Sequence, residues 1–498
     1  MKEEDGQVEE NSWKSMRGYV LSVMGSAVGF ANILSFSAQC YRNGGGAFFL
    51  PFFLAMVLIG FPMLLLEALV GQRLRCSLVS AYQCMGGKRG GFWGWLSTLT
   101  CACVGSFYIP LTGFSLAYLY FVLAGKIGAD SALFFKEEFL CDSGSLMRWG
   151  ELSYPILFST LLVLLFSHAV LGRGIRRGVE RFSSLFLPLL TLIISFCALF
   201  GLFIPGGLMG IGHYLRPDFS LLKSAELWRD ACGHVFFSLS LSFGIITGYS
   251  RYNAASISLK RAMFWVLTGD LCISVISGAA IFSCVGYLSV TSGVPFDQIV
   301  QSASIFEMGF IIFPALFSQL PSILSLVVAP LFFFSIFIAG ITGVFSILEA
   351  VVGNVEEVFG WSRKRSLRAV SLVMLVLSLP YCWGVGQHIL AALSSMVLGN
   401  MVLIGGLSEI LLFLYVSPLL KQDVIWFRGG RRSWFYLFLK IPIPLSLSYV
   451  LINSIWREWN QASLSASFLL RWGWLGLVLV CSYFLSSRES VVWRKRSG

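Results

Sequence analysis

Charge is what this 498-residue chain has least of. Only 12% of its residues are Asp, Glu, Lys or Arg, while 56% are hydrophobic. A soluble protein of this length carries roughly twice that charged fraction. Histidine is scarce too: the four, at 168, 213, 234 and 388, are scattered and form no H-E-x-x-H or similar metal-binding spacing. There is no G-x-S-x-G turn and no phosphate-binding P-loop. These absences argue against a membrane enzyme and leave no internal source of ATP energy. The 12 cysteines sit mostly inside apolar stretches. Cys101 and Cys103 form only a C-x-C, so the cysteines read as small core residues. No linker rich in Pro, Ser or charge divides the chain, which argues for one membrane domain. No repeated pore-lining charge or filter loop suggests a channel.

What is present is a succession of apolar stretches, each about 20 residues long, the length that crosses a bilayer. We count about twelve, which predicts an all-α polytopic membrane protein. A β-barrel would show short segments of alternating polarity instead. With the N-terminus placed inside, 27 of the 36 Lys and Arg fall on the inner side. That asymmetry obeys the positive-inside rule and puts both termini in the cytoplasm. It also accounts for the net charge of +11 without a nucleic-acid partner. Basic loops such as RGIRRGVER (173–181) are therefore topology signals first, and nothing calls for an obligate protein partner.

Two spans carry unusual residues at mid-depth. The first holds GSAVGFAN, Gly25 to Asn32, with two glycines, a serine and an asparagine in hydrocarbon. The sixth holds GHVFFSLSLSFG, Gly233 to Gly244, with Ser238, Ser240 and Ser242 at every second position. On an intact helix that spacing spreads the hydroxyls over different faces. Gly25 and Gly29 also form a small-residue packing face, an ordinary alternative. Paired interruptions at matching positions of two five-span repeats nevertheless point to a transporter binding site, where irregular backbone lines a polar cavity.

The ordered set GSAVGFANILSF, YRNGGGAFFLPFF, SFYIPLTGFSLAYL, RGIRRGVERFSSLFLP, LRPDFS, FFSLSLSFG, GAAIFSCVGY and GLSEI resembles the neurotransmitter:sodium symporter family, particularly its bacterial amino-acid transporters. The resemblance implies a LeuT-type fold of two inverted five-helix repeats with helices 1 and 6 unwound. The organisation is then a cytoplasmic tail (1–15), repeats at 16–204 and 225–416, two accessory helices (435–486) and a C-terminal tail (487–498). The implied activity is sodium-coupled symport of a neutral, hydrophobic amino acid by alternating access. The alternatives are a sodium-independent or proton-coupled transporter, or a non-transporting amino-acid sensor of the same fold.

Carried over by resemblance, the first sodium site would use Ala27, Asn32, Ser238 and Asp270, the last standing where the family usually has asparagine. The substrate carboxylate would meet the amides of Phe30 and Ala31 and the Tyr108 hydroxyl. The amine would meet Ala27, Phe237, Ser238 and the Ser240 region. The side-chain pocket would be Val104, Phe237, Phe243, Val344 and Ile347, with Ser26 and Ser242 nearby. Gly29 stands where the monoamine branch resembles aspartate, and so favours a substrate that brings its own carboxylate.

Three departures stand out. A second sodium site from Gly25, Val28, Ala339 and Thr342 loses one hydroxyl because Gly343 stands in its place. The outer-gate charge pair is replaced by Ser35 and Ser394, which predicts a hydrogen-bonded or purely aromatic outer gate with Phe243 and Tyr108 as its lid. The chloride site has Phe52 and His234 in place of a tyrosine and a glutamine. Ser274 remains, and Asp270 one turn before it can supply fixed negative charge. These predict one or two sodium ions and no chloride. His234 reads as a hydrogen-bonded histidine or a proton carrier. Glu67, Glu349 and Glu409, inside spans, read as paired or protonated structural groups.

Overall fold

The computed structural model describes residues 12–127, 130–301, 308–320, 322–416, 434–460 and 465–497. Most of the expected N-terminal tail, the loop 417–433 and Gly498 lie outside the described residues. The described residues are almost entirely helical, and the only β pairings among them are isolated bridges. The first span is two helices, α1 (Met16–Ala27) and α2 (Ala31–Arg42), bent by 55° at the break between them. Then follow α3 (Gly46–Leu74), α4 (Leu78–Leu123), α5 (Tyr154–Gly172) and α6 (Ile175–Phe203). The sixth stretch is again divided, into α7 (Ala225–Ser238) and α8 (Ile245–Ser250). The remaining long helices are α9 (Leu259–Ser292), α10 (Leu324–Phe359), α11 (Arg363–Cys382), α12 (Gly386–Leu414), α13 (Leu437–Asn460) and α14 (Ala466–Lys495). Ten of these helices are long and apolar enough to cross a membrane, and the bent first pair makes eleven. Each half of the sixth stretch is too short to count by length alone.

Local chemistry sets the helix ends. The Ser15 hydroxyl caps α1 by accepting the Gly18 amide at 3.0 Å. Ser153 caps α5, with proline in its first turn, and Ser224 caps α7. α4 is 46 residues long because a short helix joins the third span across a kink at Gly86 and Gly87, where Gly87 has φ +58°.

α4 and α10 pack along most of their length and form the spine of the molecule. The broken helices lie against them, so both breaks fall in the buried centre. Around the rim, Phe158, Leu165, Leu192, Phe196, Leu199 and Phe484 are exposed. In a chain of this composition that rim faces lipid.

Candidate functional site

The site is built from the two breaks. α1 stops at Ala27 because Val28 leaves the helical region (φ −76°, ψ 104°). The Asn32 side chain stabilises the restart: its Oδ1 accepts the Gly29 amide at 3.0 Å, as a helix cap does. In the sixth stretch, Ser240 (φ +53°), Ser242 (φ +68°) and Gly244 (φ +75°) all take left-handed backbone. Two serines held there are strained, a pattern that concentrates at functional sites.

Asn32, Ser238, Asp270 and Ser274 are each fully buried and converge. The Asn32 Nδ2 lies 2.7 Å from Asp270 Oδ1, 3.0 Å from Ser238 Oγ, 2.9 Å from Ser274 Oγ and 3.4 Å from the Asp270 carbonyl. Ser238 Oγ donates to the Asp270 carboxylate at 2.7 and 2.9 Å. An amide NH2 has two hydrogens, so it cannot serve four oxygens fully.

Beside this cluster lies a small cavity of about 30 Å³. Of the sequence-derived substrate residues, Ser26, Ala27, Ala31, Val104, Tyr108, Phe237, Ser240, Phe243 and Ile347 line it. Phe30 lines the larger cavity above, and its ring meets that of Tyr108 edge-on. Ser238 is turned to Asp270. Val344 is buried off the wall, because Gly343, Ser346 and Ile347 share the cavity face of α10 at i, i+3 and i+4 and Val344 points about 100° away. Cys101, Ile245 and Ser346 also line the cavity. Sequence reasoning missed these three; for Cys101 the signal was its place one turn before Val104 on the same helix.

Ser240 donates to the Ser26 carbonyl at 3.0 Å and so ties the two breaks together. Ser242 points elsewhere. Its amide donates to Glu67 at 2.7 Å, and its side chain lies against Gly406 of α12. The three alternating serines therefore serve three different places rather than one cavity.

Tyr108 fits into a slot between two glycines. A Cβ added at Gly29 would stand 2.3 Å from its hydroxyl oxygen, and one at Gly343 2.8 Å from the same atom. The second group of sequence-derived residues also meets: Gly25 faces Thr342, where a Cβ would come within 3.3 Å of the threonine Cβ. The Thr342 hydroxyl bonds back to the Ile338 and Ala339 carbonyls at 3.0 and 3.1 Å. Val28 and Ala339 are buried beside them.

On the side that the charge pattern puts outside, a cavity of about 500 Å³ is lined by Ser35, Ser394, Phe30, Tyr108 and Phe237. Tyr108 and Phe237 line both cavities and separate them. Phe243 lines only the inner one, and the ring that meets Tyr108 is Phe30, edge-on with centroids 5.0 Å apart, not Phe243 as expected. Phe243 lies within the break itself, between α7 and α8. His234 is boxed by Phe36, Phe48 and Phe52 at ring distances of 5.4 to 6.4 Å, and its Nε2 has no hydrogen-bond partner. The expected hydrogen bond is therefore not formed at that nitrogen. Glu349 is paired, with Arg363 at 2.7 Å and Arg251 at 3.2 Å.

A family model described as the sodium:neurotransmitter symporter family matches residues 10–132 and 126–487. The chain belongs to this family. It is 32% identical over 435 residues to an uncharacterized sodium-dependent transporter of Methanocaldococcus jannaschii, covering 85% of this chain and 83% of that one. It is 26% identical to the human sodium- and chloride-dependent GABA transporter 2, covering 94% and 81%. Among solved structures it is similar to MhsT in complex with L-phenylalanine, with a TM-score of 0.76 at 24% identity over 89% of this chain and 99% of that one. Family and fold are those of multi-pass, sodium-dependent symporters and not of enzymes. The fold is the LeuT type expected from the motifs.

Proposed function

We propose that this symporter carries a neutral, hydrophobic amino acid with sodium, by alternating access and without chloride, through a bacterial inner membrane with both its termini cytoplasmic. The observation that carries the substrate reading is the cavity at the two breaks, lined by apolar and hydroxyl groups with no charged side chain. A zwitterion suits such a cavity. Its carboxylate meets the amide end of α2 and the Tyr108 hydroxyl, and its amine meets the carbonyls left free where α1 and α7 stop. Gly29 supplies no anion, so an amine without its own carboxylate lacks a counter-charge.

Sodium fits the Asn32 cluster. The four oxygens around the Asn32 amide nitrogen are hard donors, and the Asp270 carboxylate supplies the charge. A cation there takes all four, with Asn32 turned over to present Oδ1. Gly25, Val28, Ala339 and Thr342 form the second, weaker site. There the Thr342 hydroxyl must turn from its own helix, and Gly343 adds no second hydroxyl. Chloride independence rests on Asp270 as resident anion, on the Ser274 hydroxyl already bonded to the Asp270 carbonyl at 2.9 Å, and on the apolar contact of Phe52 with His234.

Competition binding on the purified protein tests the reading. Neutral L-amino acids should displace a bound labelled amino acid only in sodium, and their decarboxylated amines should not. Equal displacement by the amines would contradict it.

A further inference from the structure

The walls of the inner cavity are not equally free to move. At about 30 Å³ it holds about two waters, since one water needs about 10–15 Å³. A bound amino acid must therefore gain room by displacing side chains. On the outer side that room exists: Tyr108 and Phe237 border the cavity of about 500 Å³, into which their rings can swing. The inner floor has no such space behind it. Cys101 and Val104 of α4, Phe243 of the break, Ile245 of α8, and Ser346 and Ile347 of α10 form it, and each is at most 4% exposed.

The floor is backed by helix packing. α4 and α10 close on each other at Gly105, where a Cβ would stand 2.9 Å from Ile347 Cγ2 and 3.3 Å from Met374 Sδ of α11. Ile347 is thus wedged between α4 and the cavity and has nowhere to retreat. Cys103, two residues after Cys101, points away from the cavity. Its sulfur accepts the Trp474 indole N–H of α14 at 2.8 Å, which fixes the rotation of α4 and keeps Cys101 at the floor. The space that Gly343 leaves beside Ser346 is already taken by the Tyr108 ring. The Ser346 hydroxyl donates back to the Gly343 carbonyl at 2.8 Å.

On the reading of this cavity as an amino-acid site, we propose that its floor limits the substrate to a short aliphatic side chain, from alanine to valine, and that Cys101 and Ile347 set the limit. The two helix breaks hold the carboxylate and the amine, so the Cα is fixed and the side chain points at the floor. Each methylene beyond that length is forced against atoms that cannot yield and costs about tenfold in affinity. An aromatic ring would have to part α4 from α10.

Equilibrium binding of labelled glycine, alanine, valine, leucine and phenylalanine to the purified full chain in sodium tests this. Alanine and valine should bind most tightly, leucine about tenfold more weakly and phenylalanine weakest. Ile347→Ala and Cys101→Ala deepen the floor and should each improve leucine about tenfold relative to alanine. Cys103→Ala removes a sulfur from the same helix on its other side and should leave the order unchanged. Alanine binding retained in the variants shows that they fold; if it is lost, the order in wild type decides alone. Leucine or phenylalanine binding wild type as tightly as alanine would overturn the size limit and leave the amino-acid reading standing. Leucine gaining nothing in Ile347→Ala and Cys101→Ala that still bind alanine would overturn the role of these two residues. A wild type that binds none of the five would overturn the amino-acid reading itself, and the size limit with it.

Discussion

At the residue scale, Tyr108 organises the substrate site, and two glycines make room for it. Gly29→Ala places a methyl group 2.3 Å from the Tyr108 oxygen, so the hydroxyl must leave its slot. We expect amino-acid affinity to fall by about tenfold or more, since losing one hydrogen bond to a charged group costs about 1.5–3 kcal/mol. Equilibrium binding at saturating sodium checks this. Gly343→Ser is the sharper case. By family pattern it restores a sodium ligand, yet its Cβ would meet the Tyr108 ring. The expected outcome is weaker substrate binding with no gain in sodium affinity; a sodium titration in which affinity rises and substrate binding holds would contradict it. These relations also mark what the sequence could tell. Asn32 was legible because a polar side chain in hydrocarbon must find partners, whereas the places of Ser238 and Asp270 beside it came from the family resemblance. That Phe237 rather than Phe243 faces the outer cavity was not, because it depends on how the chain turns through the break.

At the element scale, the two breaks do the work and strain is stored in one of them. Ser242 needs only its amide to hold Glu67, and its Cβ is what disfavours φ +68°. Ser242→Gly should therefore keep the bond and relieve about 1 kcal/mol of backbone strain, raising the thermal midpoint in detergent. Ser242→Val should lower it, because a β-branched residue tolerates that region least. The far end of α8 is tied down differently. Arg251 reaches Glu349 at 3.2 Å, Glu357 at 2.9 Å and Glu356 at 3.9 Å, while Arg363 of α11 reaches Glu349 at 2.7 Å. Trp13 adds an indole bond to the Tyr249 carbonyl at 2.8 Å. Charge has thus gone from the Ser35 and Ser394 positions and gathers at the opposite end. Arg251→Met leaves three carboxylates around one arginine, a loss of about 3–5 kcal/mol for a buried pair. It should destabilise the closed inner side, read as a lower thermal midpoint and faster thiol labelling of a cysteine placed at Ser250. An unchanged labelling rate would mean that the network is not a latch. The positions of the breaks were legible from glycine and serine at mid-span. The divergence of Ser238, Ser240 and Ser242 was not, since period arguments hold only for regular backbone.

At the scale of the whole molecule, apolar run length announced an all-helical membrane protein, and the motif resemblance announced its LeuT-type fold. Each of the twelve expected stretches coincides with a helix or a broken pair of helices. The sixth fails a length criterion for the same reason that it matters: its helix is interrupted at the site. What composition could not supply was which buried acids have partners. Glu349, Glu67 and Glu409 look alike in sequence, yet the first sits between two arginines while the other two keep buried oxygens with no hydrogen-bond partner. The central claim is that a charge-free cavity at two helix breaks takes a neutral amino acid and that the Asn32 cluster couples it to sodium. Uptake into proteoliposomes tests it most directly, using labelled neutral amino acids under an inward sodium gradient and again with potassium in place of sodium at matched pH. The account predicts saturable uptake that requires sodium and is indifferent to replacing chloride with gluconate. Uptake that proceeds equally in potassium would contradict it.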